Sequence, residues 1–257
     1  MSGYPDWVIL HIPHDSTYIP PDIRSQFVLP DPEMELELIC MTDKGTKDLF
    51  TKECPNVHMV YASVSRLVVD VEHFQMDEKE PMPNKDMGII RTHSANNGQL
   101  RRALSIEDKQ KLLDLYYFPH FKALTKEIGR VLDEHGRCLV VDCHSFPSSP
   151  LPYEIHQIAD GSDICLGADE FHTPGKIVDS FAQSFSDSGF SVSRHHPFSS
   201  GPIPLRYYHK DNRVCSITIE VNRKLYMDET TGELCSGFAE TASKITATCQ
   251  KAISLLG

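Results

Sequence analysis

Short apolar runs alternate along the chain with longer amphipathic stretches. Residues 7–11 read as a short buried strand closed by Pro13, and residues 57–62 and 67–71 are strand-like, rich in β-branched side chains. CLVVDC at 138–143 is the clearest central strand, and residues 190–194 and 215–222 add two more. Between them lie helical patterns. Asp31-Pro32-Glu33 reads as a helix start with Asp31 as N-cap, and Leu36, Ile39, Cys40, Asp43 and Phe50 then share one stripe. Ser105 to Asp108 matches a capping box with Asp in place of Glu. It opens a helical region running to His135, broken or kinked at Pro119 and stopped by Gly136. Residues 174–188 and about 237–256 are two further helices, and residues 81–98 read as a long loop. Strands alternating with helices of this length imply an α/β fold with a mostly parallel sheet covered on both faces.

No Gly/Ser-rich or Pro-rich stretch divides the 257 residues, so residues 1–257 are expected to form one α/β domain. Composition changes this picture little: 40% hydrophobic and 24% charged residues are ordinary globular values. The formal charge of −11 matters more. It disfavours nucleic acid as a partner, because phosphate contacts need clustered Lys and Arg. A local pocket of Arg and His still permits an anionic small molecule. Nothing near the N-terminus reads as a signal or membrane segment, and no membrane partner is expected. The eight cysteines include no CxxC pair and read as buried free thiols, which points to a reducing cytoplasm.

Several polar residues sit where polar residues are costly. Asp43 falls on an apolar helix stripe, where it is either a buried ion pair or a metal ligand. His14 follows the first strand, and loops at strand C-termini are where open α/β sheets bind ligands. It is either a hydrogen-bonded loop residue or a ligand. His144 follows the central strand, with Asp142 on the same face, an arrangement that sets a carboxylate beside an imidazole. Two His and one carboxylate at element ends make an open three-ligand zinc site a candidate, although no HExxH motif is present. In SITIEVN (216–222), Thr218, Glu220 and Asn222 face one way. Glu220 is therefore a candidate general base, the alternative being an ion pair with Arg223 or Arg66. Arg66 suits carboxylate binding, and His195 or His196 is placed to touch substrate from a loop. Serine chemistry ranks lower, because no GxSxG elbow occurs and Ser145 lacks its context. Cys143 ranks lower too, because it alternates inward.

The motifs HIPHDS (11–16), TDKGTKDLF (42–50), SRLVVDV (65–71), YYFPHFKAL (116–124), VVDCHSFPS (140–148), SDICLG (162–167), HHPFSSG (195–201) and IEVNRKLYMDE (219–229) span nearly the whole chain. With them it resembles the N-formylglutamate amidohydrolase family, which is similar in fold to zinc carboxypeptidases and aspartoacylases. The resemblance implies a three-layer α/β/α sandwich with a mixed sheet, and metal-assisted cleavage of an N-acyl acidic amino acid such as N-formylglutamate. It implies a divalent metal, zinc by the donor set, on His14, Asp43 and His144, with Glu220 as general base. Arg66 takes the place of an oxyanion or substrate group, and Asn222, Arg223, His195 and Asp163 those of substrate-binding residues. Hydrolysis of a γ-glutamyl or peptide amide on the same scaffold, or a ligand-binding relative without turnover, are the alternatives; the oligomeric state stays open.

Three departures from the family pattern fall in expected substrate loops: Glu72-His73 in place of Asn-Arg, His195 in place of Asn, and Ser200 in place of Gly. The first removes a permanent positive charge and adds a negative one. The expectation is weak activity on N-formylglutamate and better activity on a less anionic or amine-bearing amide.

Overall fold

A computed structural model describes residues 3–54, 56–73, 88–153, 161–194 and 203–257. Six strands make one sheet: β1 (Val8–Ile12), β2 (His58–Tyr61), β3 (Cys138–Phe146), β4 (Ile164–Gly167), β5 (Val192–Arg194) and β6 (Val214–Asn222), in the order β2-β1-β3-β6-β4-β5. Only the β4–β6 pair is antiparallel. The mixed, mostly parallel α/β sheet expected from the sequence is therefore present. β4 itself carries no sequence expectation, because four apolar residues are too short to show a period.

Helices cover both faces. Val8, Leu10, Val141, Ile217, Ile219 and their alternates pack under α3 (Thr46–Thr51), α6 (Gly175–Asp187) and α7 (Phe238–Ser254). Ile9, Val140 and Val214 face the opposite way, against Leu124, Ile128 and Val131 of α5 (Phe118–His135). The result is a three-layer sandwich whose central strands are buried on both sides. A third apolar cluster, including Met34, Met41, Leu67, Val69, Leu100 and Tyr117, gathers α2 (Asp31–Met41) and the loops around it.

Local chemistry explains the α4–α5 region. Ser105 accepts from the backbone N–H of Asp108 at 3.0 Å and starts α4 (Ile106–Leu112). A π-helical turn, Leu113–Tyr117, then precedes Pro119, so the missing proline N–H falls in the first turn of α5. Gly136 ends that helix at φ 68°, a left-handed conformation that glycine adopts without steric cost.

Three expectations fail. Asp31 is not an N-cap: Pro30 holds that position without a side-chain bond. The stripe carrying Asp43 is not helical, because α2 stops at Met41 and Thr42 is extended. Leu36 is accordingly exposed, while Asp43 is buried in the turn between α2 and α3. Residues 67–71 are likewise no strand but a buried run of turns. Their β-branched side chains fill the third cluster, and burial alone produced the strand-like composition. Of the loop expected at residues 81–98, residues 88–98 are irregular apart from one bridge, and the earlier part lies outside the described residues.

Candidate active site

Along β1, β3 and β6 the face toward α5 changes from apolar to polar at the C-terminal end. Parallel pairing sets His11 beside Asp142 and His144 beside Glu220. The loop after β1 adds His14, the α2–α3 turn adds Asp43, and the turns at 69–73 add Asp70 and Glu72. All are buried except Glu72, whose side chain is 25% exposed. Asp43 N–H donates to His14 O at 3.0 Å and ties two of these loops together. Gly45, at φ 86°, turns the chain out of Asp43 into α3.

His14, Glu72 and His144 present one ligand atom each within 4.8 Å of one another. Asp43 Oδ2 lies 3.0 Å from His144 Nδ1 and accepts from Ser145 N–H at 3.2 Å, while Asp43 Oδ1 accepts from Arg223 Nη2 at 2.9 Å. This leaves His144 Nε2 turned toward Glu72 Oε1, 3.0 Å away but not aligned as a hydrogen bond. His14 Nε2 meets Asp70 Oδ1 at 2.9 Å, and His14 Nδ1 has no hydrogen-bond partner. Asp70 is fully buried and also accepts from Arg66, Arg91 and the N–H of Glu72. Behind the cluster, Asp142 Oδ1 lies 2.7 Å from His11 Nδ1, and His11 Nε2 lies 2.8 Å from His120 Nε2.

The electrostatics favour a cation here. Burial disfavours ionisation of Asp43, Asp70 and Asp142, yet neighbouring imidazoles and, for the first two, guanidiniums hold each carboxyl well below its usual range. Burial also opposes a charged His144, but Glu72, Asp142 and Asp43 hold it well above its ordinary value. Glu220 is raised to about 8, by burial first and then by the charges of Asp43, Glu72 and Asp142 against the opposing effect of His144. His120 is lowered to about 3 by burial and by His11 and His14. His144 Nε2, without a hydrogen-bond partner and 3.0 Å from Glu72, and His14 Nε2, 3.6 Å from Glu72, give with that carboxylate a donor set that fits a divalent metal. A resident cation would offset the excess of carboxylates that pushes Glu220 up and His144 toward its charged form.

The expected site residues therefore fare differently. His14, His144 and Glu220 come together. Asp43 joins them, but its oxygens are taken by Arg223, Ser145 and His144, and Glu72 stands in the cluster where Asp43 was expected. Arg66 spends Nε and Nη2 on Asp70 at 3.0 and 2.8 Å, yet its side chain keeps 15% exposure. Arg223 is no free substrate group: it bonds Ser145 Oγ, Cys40 O and Asp43 and braces the site from behind. Asn222 donates to Ser162 O and accepts from Lys224 N–H, capping a 3₁₀ turn at Arg223–Leu225. Asp163, just before β4, accepts from Ser191 N–H at 3.0 Å and pairs with Lys224 at 3.4 Å, tying the entry to β5 to the turn after β6. His195, like His196 and Ser200, lies outside the described residues. Asp70 and Arg91 had no sequence expectation. A lone carboxylate inside the apolar run LVVDV was the available signal for Asp70.

A family model described as N-formylglutamate amidohydrolase matches residues 7–227. The chain belongs to the N-formylglutamate amidohydrolase family. The matched span includes every residue of the site just described. Two solved structures share the fold. An N-formylglutamate amidohydrolase from Ralstonia eutropha JMP134 superposes with a TM-score of 0.80 at 22% identity, over 99% of this chain and 95% of that one. A gene product of Agrobacterium tumefaciens gives 0.71 at 17% identity, over 97% and 91%. Among curated protein sequences none matches. The eight cysteines are all free thiols, and no helix among the described residues is long and apolar enough to cross a membrane.

Proposed function

We propose that the protein is a metal-dependent amidohydrolase that cleaves the acyl–nitrogen bond of an N-acyl amino acid, with N-formylglutamate as the reference substrate of its family. The observation that carries this reading is the His14–Glu72–His144 cluster, its two histidines buried, with Glu220 beside it, inside a family of amidohydrolases. His14, Glu72 and His144 would hold the metal, and zinc suits a donor set of two imidazoles and one carboxylate. When bound, it supplies Lewis acidity for the scissile carbonyl and for water.

The chain's own groups supply the rest. Glu220, level with His144 across β3 and β6, is placed to take a proton from the attacking water and return it to the departing amine, and a bound cation would lower its value of about 8 so that the carboxylate form is available near neutral pH. Asp43 holds His144 by Nδ1, fixing its ring orientation through a carboxylate–imidazole pair, while Asp70 shares with Glu72 the Nε2 side of His14, at 2.9 and 3.6 Å. The exposed remainder of Arg66 can grip the substrate's α-carboxylate or the developing oxyanion without leaving Asp70. Burial of the cluster keeps bulk water from screening these charges.

The test is hydrolysis of N-formylglutamate and other N-formyl amino acids by metal-loaded protein, with Glu220→Gln alongside. Turnover should fall by about 10²- to 10⁴-fold in the variant while the metal is retained. Near-normal turnover in Glu220→Gln would remove Glu220 from the role of base.

A further inference from the structure

Beside the site lies a cleft of about 230 Å³ at the same C-terminal rim of the sheet. It is lined by Ile39 and Cys40 of α2, by Pro147, Ser149, Pro150 and Leu151 after β3, and by Arg223, Met227 and Glu229 after β6. None of His14, Glu72, His144 or Glu220 lines it, but two of its residues tie it to them. Pro147 follows His144 by three residues, so their Cα atoms are at most about 11 Å apart. Arg223, on the cleft wall, bonds the same Asp43 that holds His144.

The size and lining restrict what can enter. Pockets for drug-sized ligands occupy roughly 300–1,000 Å³, so this cleft suits a single side-chain-sized group. Its walls are mostly aliphatic. The charge of Arg223 is already matched: Nε donates to Ser145 Oγ, Nη1 to Cys40 O at 2.7 Å and Nη2 to Asp43 at 2.9 Å. Glu229 accepts only the backbone N–H of Ser148, at 3.2 and 3.0 Å to its two oxygens, and no cation of the described residues lies within ion-pair distance. An incoming carboxylate would meet Glu229 and no uncommitted guanidinium. A formyl hydrogen would leave the apolar walls uncovered.

We infer that this cleft binds the side chain of an N-acyl amino acid whose long aliphatic stem ends in a cation, as in lysine, with Glu229 as the specificity-determining residue. The stem lies along Ile39, Pro150, Leu151 and Met227, and the ammonium pairs with Glu229, the disposition that amphipathic basic side chains adopt at apolar surfaces. The inference rests on the amidohydrolase reading for its chemistry and adds the substrate's side chain.

The experiment compares kcat/KM for N-formyl-lysine, N-formylnorleucine and N-formylglutamate with metal-loaded protein, in the natural sequence, Glu229→Gln and Glu229→Lys. The lysine-to-norleucine ratio should be about tenfold or more and should collapse to about one in Glu229→Gln, and in Glu229→Lys the glutamate substrate should overtake the lysine one. Glutamine keeps an acceptor for Ser148, so the loop retains its bond. A natural preference for N-formylglutamate, or a ratio unmoved by Glu229→Gln, overturns the inference and leaves the amidohydrolase reading standing. If none of the three is hydrolysed, that reading fails; the cleft is then judged by calorimetric binding of N-acetyl-lysine against N-acetylnorleucine. Tighter binding of the lysine compound, abolished in Glu229→Gln, supports the cleft, and equal binding overturns it.

Discussion

Replacing Asp43 by Asn separates a carboxylate that braces the site from one that is dispensable. Asp43 Oδ2 serves His144 Nδ1 and Ser145 N–H, and Oδ1 serves Arg223. An amide has one acceptor face, so it cannot serve both sides. With its oxygen toward His144, its NH₂ group meets the Arg223 guanidinium and leaves that buried charge unpaired. With its oxygen toward Arg223, the NH₂ group faces Ser145 N–H and His144 Nδ1. His144 can then pair only by accepting at Nδ1, which puts the proton on Nε2 and occupies the nitrogen that faces Glu72. Breaking a buried charge pair costs about 3–5 kcal/mol. At roughly 2–4 °C per kcal/mol for a chain of this size, Tm should fall by about 6–20 °C. Urea unfolding should show a lower midpoint at unchanged m, and metal affinity should drop by about 10- to 100-fold, as for other orienting partners of metal ligands. A stability loss under about 1 kcal/mol together with unchanged metal binding would refute the bracing role of Asp43.

Two further outcomes follow from the same geometry. Glu220 ionises at about 8 in the fold against an ordinary value of 4.5, so between those values the native state holds a proton that the unfolded chain has released. Stability of metal-free protein should therefore fall as pH rises from about 6.5 to 8, where His120 no longer opposes it, and Glu220→Gln should reduce that slope while His144, also raised, keeps the rest; a slope unchanged in Glu220→Gln would contradict the raised ionisation of Glu220. Tyr117, on the π-helical turn, donates to His73 O at 2.9 Å and pins the residue after Glu72. Tyr117→Phe removes one hydrogen bond worth about 1 kcal/mol, so metal Kd by calorimetry should rise roughly fivefold, and an unchanged Kd would exclude that positioning.

What could be read from sequence follows from periodicity. β1, β3 and β6 are regular, and alternation placed Asp142 with His144 on one face of β3 and Thr218 with Glu220 on one face of β6; the register then puts His144 opposite Glu220. The second His was legible because Pro13 ends its strand. The α2–α3 turn was not legible: Thr42 and Asp43 continue a helical spacing by coincidence, and only tertiary contacts reveal the break. Residues 67–71 misled for a related reason, since a buried turn and a buried strand share the same composition. Glu72 was visible only as a departure from the family pattern. Its place in the cluster comes from Asp70, which accepts the Glu72 N–H at 3.1 Å and orders a turn that no local signal marks. Arg223 and Asn222, expected to face substrate, were drawn inward by partners far away in sequence, such as Cys40 O and Ser162 O.

The most direct test of the account is metal stoichiometry and affinity in the natural protein and in Glu72→Ala, read by elemental analysis and calorimetry. One divalent metal per chain is expected, with activity lost in chelator and restored by metal, and binding weakened at least 100-fold in Glu72→Ala, at the upper end of what an orienting partner alone costs. Full activity in chelator with no metal present, or metal binding indifferent to Glu72→Ala, would contradict it.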